Sequence, residues 1–93
     1  MTRGKRLPIN HELKTDWEWF SAVLSGYKTA ELRRNDRDFR RGDTLTLVSA
    51  NSDGVPRRLD LSVTHVLTNY PGLEPGYAMV SFRPARSALG EEQ

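Results

Sequence analysis

The 93-residue sequence contains no cysteine, only two histidines and no long apolar run. Without cysteine there can be no disulfide, thiolate metal ligand or cysteine nucleophile, and the composition fits a reducing compartment. Two histidines alone are a poor basis for a zinc site, so we predict no metal and no other cofactor. No segment approaches the roughly 18 consecutive apolar residues of a membrane span, and the basic N-terminus lacks the apolar stretch of a signal peptide. We therefore expect a cytoplasmic protein with no membrane partner.

The net charge is also small, because 14 basic residues are nearly balanced by 12 acidic ones. The resulting net charge of +2 argues only weakly for a nucleic-acid partner. The distribution is more informative, because basic residues collect at the N-terminus and again between residues 33 and 41, whereas acids collect at Glu91 and Glu92. This pattern predicts a local basic face.

The length fits one domain, since typical domains contain roughly 50 to 250 residues. Hydrophobic periodicity begins near Ile9 and fades from Pro84 onward. We therefore predict a flexible basic arm at 1–8, a globular domain at 9–83 and a flexible tail at 84–93.

A single amphipathic helix is predicted after Thr15, which has capping-box spacing to Glu18, with Asp16 as the alternative cap. Gly26 is placed to end this helix in a left-handed cap. One sector of the helical wheel is apolar and is expected to dock on the core. Its members are Trp17, Trp19, Phe20, Val23 and Leu24.

Five strands are predicted at 9–13, 29–33, 44–49, 59–67 and 77–82, with a hairpin turn at 51–54. Alternation places Ala30 and Leu32 toward the core, and Leu45 and Leu47 likewise. His65 falls on the apolar face of its strand and is interpreted as a hydrogen-bonded core histidine. The predicted fold is α+β and mainly β, a small barrel of about five or six strands capped by one helix.

Residues 26–43 carry an unusual density of ionisable groups between two glycine turns. Lys28 follows the first turn and is a candidate phosphate or carbonyl contact, or a general base. Glu31 can accept hydrogen bonds from the exocyclic amine of a base, and Arg33 offers a planar fork to phosphate or base edges. Alternatively, Glu31 and Arg33 pair with each other. Lys28 and Glu31 converge only if the chain bends near Thr29.

The arginines that follow are candidates for contacts with a nucleic-acid backbone, namely Arg34, Arg37, Arg40 and Arg41. The alternative is a solvated face paired with nearby acids, of which Asp36 and Asp43 are interpreted as turn formers. His11 and Lys14 flank the start of the helix, where unpaired backbone donors favour anions. A surface pair without a ligand is the alternative for these two residues.

Four motifs occur in a fixed order along the chain. They are His11-Glu12-Leu13-Lys14, Gly26-x-Lys28-x-x-Glu31-x-Arg33, Asn35-Asp36-Arg37-Asp38-Phe39-x-x-Gly42-Asp43 and Pro71-Gly72-Leu73-Glu74-Pro75-Gly76-Tyr77. Together they resemble the ASCH superfamily, especially its short branch of uncharacterised domains from bacteriophages and prophages. The resemblance covers about residues 9–83.

The resemblance implies a PUA-like fold with a cleft between barrel and helix, and RNA or modified bases as ligands. Some small ASCH proteins are enzymes, including an acetylcytidine amidohydrolase and ribonucleases. The lysine of the amidohydrolase motif is matched by Lys28, but its nucleophilic threonine is replaced by Glu31. That mechanism therefore does not transfer unchanged.

The expected function is an RNA- or nucleotide-binding module whose cleft is lined by Lys28, Glu31 and Arg33. Single-stranded or modified DNA is an alternative ligand. A second hypothesis is a small hydrolase of a modified nucleoside or of RNA, with Lys28 and Glu31 as catalytic groups. A third is a phage protein that binds a host protein.

Overall fold

The structure, a computed structural model, describes residues 6–85. Its elements follow the predicted order: β1 (Asn10–Lys14), α1 (Trp17–Leu24), β2 (Ala30–Arg34), β3 (Thr44–Ala50), β4 (Pro56–Leu67) and β5 (Tyr77–Pro84). Residues 1–5 of the predicted arm and 86–93 of the predicted tail lie outside the described residues, whereas Pro84, assigned to the tail, belongs to β5.

The five strands form one sheet in the order β1-β3-β4-β5-β2. β1 runs parallel to β3, and the other neighbouring pairs are antiparallel. The sheet curls into a half barrel whose two edges are β1 and β2. The predicted α+β, mainly β class with one helix is therefore confirmed.

Local sequence signals explain the β3–β4 hairpin and the end of the helix. The backbone N–H of Gly54 donates to the Asn51 carbonyl at 2.9 Å, and Gly54 has φ +76°, which glycine adopts without strain. Leu45 and Leu47 of β3 are buried as predicted. Gly26, with φ +87°, ends α1 as predicted.

The helix docks through fewer residues than predicted. Phe20 and Val23 are buried and Trp17 packs beside them, but Trp19 is 47% exposed and Leu24 is also exposed. Assigning the last two to the core was wrong, because the helix has only eight residues and buries just Phe20 and Val23. The predicted capping bond is also absent, since the N-cap residue Asp16 makes no side-chain hydrogen bond to the helix.

The inward face of β2 is the opposite of the predicted one. Leu32 is 53% exposed, whereas Glu31 and Arg33 are partly buried and border the apolar interior beside Phe39 and Val80. The alternation of β2 predicted that its apolar side chains point toward the core. An edge strand at the open side of a half barrel can instead turn a paired acid and base inward.

His65 is exposed, so its interpretation as a core histidine was wrong. A β-bulge between Val63 and His65 shifts the alternation of β4, and Val66 packs against the core in place of His65. Phe39, in contrast, is buried as predicted and packs against the His11 ring in a tilted arrangement, with centroids 4.8 Å apart.

Asp43 is more than a turn former, because its buried carboxylate joins the loop at residues 40–43 to residues 6–11. It accepts two hydrogen bonds of 3.0 Å from Arg6, one of 2.8 Å from Nε2 of His11, and others from the backbone N–H groups of Ile9 and Arg40. Burial by itself raises the pKa of Asp43, but these hydrogen bonds outweigh it and hold the pKa well below its ordinary value.

This depressed pKa predicts a loss of stability in acid. The native state binds fewer protons at Asp43 than the unfolded state, so its stabilisation is complete above the unfolded pKa of about 3.9 and is lost progressively below it. We expect the free energy of unfolding, measured by urea denaturation between about pH 2 and pH 7, to fall on the acid side. Asp43→Asn should make this fall shallower. An unchanged fall in the variant would show that the pKa of Asp43 is not its cause.

Candidate ligand-binding cleft

A cleft of about 270 Å³ opens between α1 and the edge strand β2. It is lined by Trp19, Lys28, Glu31 and Leu32. After the turn at Gly26, the backbone N–H of Lys28 donates to the Ala22 carbonyl at 3.1 Å, which holds Lys28 against the helix. Lys28 therefore precedes the extended run of β2, and the predicted convergence of Lys28 and Glu31 on one cleft is present.

Lys28 is held in place by two contacts. Its Nζ donates to the Ala30 carbonyl at 2.8 Å and lies 5.6 Å from the centroid of the Trp19 ring. The second distance permits a cation–π interaction. The ammonium group is thus kept at the cleft, where it can donate its other protons to a ligand.

Glu31 has one occupied and one free carboxylate oxygen. Oε2 accepts a hydrogen bond of 3.0 Å from Nη1 of Arg33, and the two side chains are only 19% and 28% exposed. Oε1 is buried and has no hydrogen-bond partner among the described residues. Buried polar atoms are rarely left unpaired in proteins, because each costs about 1–3 kcal/mol. A donor supplied by a ligand or by water would satisfy this oxygen.

The free edge of β2 adds backbone groups to the same cleft. The Thr29 carbonyl accepts from the Phe82 N–H at 2.9 Å, and the Asn35 N–H donates to the Gly76 carbonyl at 2.8 Å. The backbone N–H and C=O groups of the odd-numbered residues of β2 therefore point toward β5. In an antiparallel pair the backbone groups of the residues between them point away from the neighbouring strand. Leu32 therefore presents its N–H and C=O groups at the free edge, beside Glu31.

Trp19 separates this cleft from a second depression of about 310 Å³, which is lined by Lys14, Thr15, Asp16 and Trp19 itself. The predicted site residue Lys14 is therefore close to the cleft. His11 is not, because it is buried and bonded to Asp43. His11 holds the fold together and does not line the cleft.

The predicted arginine cluster divides among several surroundings. Arg34 lies over the Tyr77 ring, 5.4 Å from its centroid, and Nη1 of Arg37 donates to the Glu12 carbonyl at 3.0 Å. Arg40 and Arg41 line a separate groove, and Arg40 forms an ion pair of 2.8 Å with Asp38. Arg33 does not line the cleft, contrary to the prediction, and is linked to it only through its ion pair with Glu31.

Sequence reasoning missed Leu32 as a cleft residue, because periodicity assigned it to the core. It interpreted the two tryptophans as core and rim packing, with base stacking as a further role for a tryptophan at the edge of the apolar sector. The free oxygen of Glu31 has no sequence signal, because it results from packing between distant strands.

Two further findings bear on the kind of site. Within residues 6–85 no three histidine, aspartate or glutamate side chains are grouped as metal ligands. No helix in the same part of the chain is long and apolar enough to cross a membrane.

The fold and the cleft define a small half-barrel protein with an aromatic wall and charges of both signs at the edge of its sheet. Residues 10–82 match the domain of unknown function DUF3850, and the chain belongs to this family. Over 37 residues, 40% of this chain, it is 51% identical to an uncharacterized 12.9 kDa protein in the GpA 3′ region of Escherichia phage P2. The match covers 34% of that relative, and it agrees with the predicted association with bacteriophages.

Proposed function

We propose that the protein is an RNA- or nucleotide-binding module of the ASCH and PUA-like type, which holds a base in the cleft between α1 and β2. Two observations carry the proposal: Oε1 of Glu31 is buried without a hydrogen-bond partner among the described residues, and Glu31 lines a cleft together with the Trp19 ring and Lys28. These groups match the three features of a base, namely its apolar face, its exocyclic donor and its ring acceptors.

The arrangement favours a base with an exocyclic amino group. Oε1 of Glu31 accepts from the amine, Lys28 donates to a ring nitrogen or carbonyl, and the exposed Trp19 ring packs against the base. Arg33 occupies the other oxygen of Glu31 and holds the carboxylate in place. Cytosine and adenine satisfy this pattern, whereas uracil places a carbonyl oxygen where the amine is needed. A modified base fits if the modification leaves one N–H on the amine.

The first test is a calorimetric titration of the wild type and of Lys28→Ala with CMP and UMP. We expect the wild type to prefer CMP. Loss of a charged donor costs about 1.5–3 kcal/mol, so Lys28→Ala should weaken CMP binding about 10- to 150-fold. Arg58→Ala is the control, because Arg58 is exposed and pairs with Glu12 away from the cleft. Equal CMP affinity in all three proteins would contradict the proposal.

Trp19→Ala is expected to weaken binding of CMP and of short RNA about 5- to 150-fold, since packing of a base on an aromatic ring contributes about 1–3 kcal/mol. Stability should change little, because the indole is half exposed. Leu24→Ala is the matched control, as Leu24 is exposed on the same helix and outside this cleft. Fluorescence anisotropy of labelled RNA measures the difference, and equal losses in both variants would exclude packing on Trp19.

One observation supports a second candidate, a hydrolase of a modified nucleoside or of RNA. The cleft is lined by a glutamate and a lysine but by no serine, threonine or cysteine, so Glu31 would have to activate water. Mass spectrometry of acetylcytidine and RNA after incubation with the protein tests this reaction. Turnover that is abolished by Glu31→Gln would favour the hydrolase, and turnover that survives would exclude this mechanism.

A further inference from the structure

A second groove, with a volume of about 610 Å³, lies between the β2–β3 loop and β4. Its polar lining consists of hydrogen-bond donors and one acid. The donors are Asn35, Arg40, Arg41, Thr64, His65 and Thr68, and the acid is Asp38. The groove shares no residue with the cleft at Trp19.

The bulge in β4 builds one wall of this groove. Because the alternation shifts between Val63 and His65, Thr64 and His65 are both exposed at neighbouring positions. The opposite wall is held by the turn at Gly42, whose N–H donates to the Val63 carbonyl at 3.0 Å. Arg41, next to that glycine, is thereby brought to the same groove as His65. A regular strand would have turned His65 toward the core.

The charges of the groove leave it positive. Asp38 forms an ion pair of 2.8 Å with Arg40 and lies 3.8 Å from Nε of Arg6, so its negative charge is compensated. Arg41 has no ion pair among the described residues and supplies the excess positive charge. Oδ1 of Asn35 accepts from the Phe39 N–H at 3.2 Å, which leaves its amide nitrogen as a donor.

We propose that this groove binds the phosphodiester backbone of the RNA strand whose base occupies the cleft, with Arg41 and His65 as the principal contacts. The inference rests on the proposed function and extends it, because it makes the ligand an oligonucleotide and not a free nucleotide. Arginine and the hydroxyl and amide donors of the groove are the groups that contact phosphates in nucleic-acid complexes.

The spacing of the two sites fits one continuous strand. Glu31 lines the cleft and Asn35 lines the groove, and a strand rises by roughly 3.3 Å per residue, so the Cα atoms of these two residues are about 13 Å apart. Glu31, Arg33 and Phe39 border the same apolar interior, and Phe39 also borders the groove. A ligand that reaches both sites must therefore carry phosphates beyond the nucleotide in the cleft.

The test compares CMP with a cytosine-containing hexaribonucleotide in Arg41→Ala, His65→Ala and the control Arg58→Ala. Arg58 is an exposed arginine on the same strand as His65, about 23 Å away along β4. We expect Arg41→Ala to weaken hexamer binding at least 5-fold and to reduce the slope of log affinity against log salt by about 0.7, the value for one phosphate contact with a single strand. His65→Ala should weaken hexamer binding in the same direction. CMP affinity should not change in either variant.

The proposal that the groove binds the backbone would be contradicted if Arg41→Ala and His65→Ala weakened hexamer binding no more than Arg58→Ala does. This holds even if CMP still binds in the cleft. A wild type that binds no hexamer would overturn it as well. Glu31→Gln separates the two proposals. If that change leaves hexamer affinity intact while Arg41→Ala lowers it, the groove is retained and the base cleft fails.

Discussion

Replacing Asp43 with alanine is expected to lower the free energy of unfolding by about 3–5 kcal/mol, the usual cost of removing one partner from a buried ionic network. The side chain of Asp43 is 1% exposed, and its oxygens satisfy donors from Arg6, His11, Ile9 and Arg40. These donors lose their acceptor together. A domain of this size is stable by only about 5–15 kcal/mol, so the change would remove a large fraction of the total.

Urea denaturation measures this difference, with Glu12→Ala as the matched control. Glu12 also forms an ion pair, with Arg58 at 3.3 Å, but both side chains are largely exposed, and such pairs contribute about 0–1 kcal/mol. The loss of unfolding free energy in Asp43→Asn should lie between those of the two alanine variants, because the amide oxygen of asparagine can still accept a hydrogen bond. A loss for Asp43→Ala no greater than that for Glu12→Ala would show that Asp43 does not hold the segments together.

Glu31→Gln is expected to weaken binding of CMP about 10- to 150-fold, which corresponds to about 1.5–3 kcal/mol for a hydrogen bond to a charged group. The carboxylate has two acceptor oxygens: one accepts from Arg33, and the other, which has no partner among the described residues, accepts from the ligand amine in the proposed complex. Glutamine has a single acceptor oxygen, so either Arg33 or the ligand amine is left without one. Glutamine has the same shape, and the sheet should be retained.

The specificity of this effect is checked with UMP, which has no exocyclic amine. We expect UMP to bind weakly to the wild type and to be little affected by Glu31→Gln. Arg33→Ala should have an intermediate effect, because it frees Oε2 but removes the contact that orients the carboxylate. An equal loss of CMP and UMP affinity in Glu31→Gln would indicate a general electrostatic role and not recognition of an amine.

The order of elements and most of their limits follow from local signals in the sequence. Gly26 ends the helix, residues 51–54 form the hairpin turn, and the alternation of β3 buries Leu45 and Leu47 as predicted. Each of these signals acts within a few residues and needs no information about neighbouring strands. Local chemistry therefore predicts the class of fold.

The inward faces of β2 and β4 depend on contacts that are distant in sequence. A bulge turns His65 outward, and the position of β2 at the open edge turns Glu31 and Arg33 inward in place of Leu32. Neither event has a local signature in the chain. For the same reason, Lys28 and Glu31 could be named as candidates from residue type, whereas the free oxygen of Glu31 required the tertiary structure.

The most direct measurement is a two-dimensional nitrogen–proton NMR titration of the wild type with CMP, AMP and UMP. Binding of a base in the cleft predicts saturable shifts at the Trp19 indole N–H and at the backbone amides of Lys28, Glu31 and Leu32, larger for CMP and AMP than for UMP. Trp19→Phe assigns the indole signal. Shifts of equal size for all three nucleotides, or shifts confined to other surfaces, would contradict recognition of an amino-bearing base between α1 and β2.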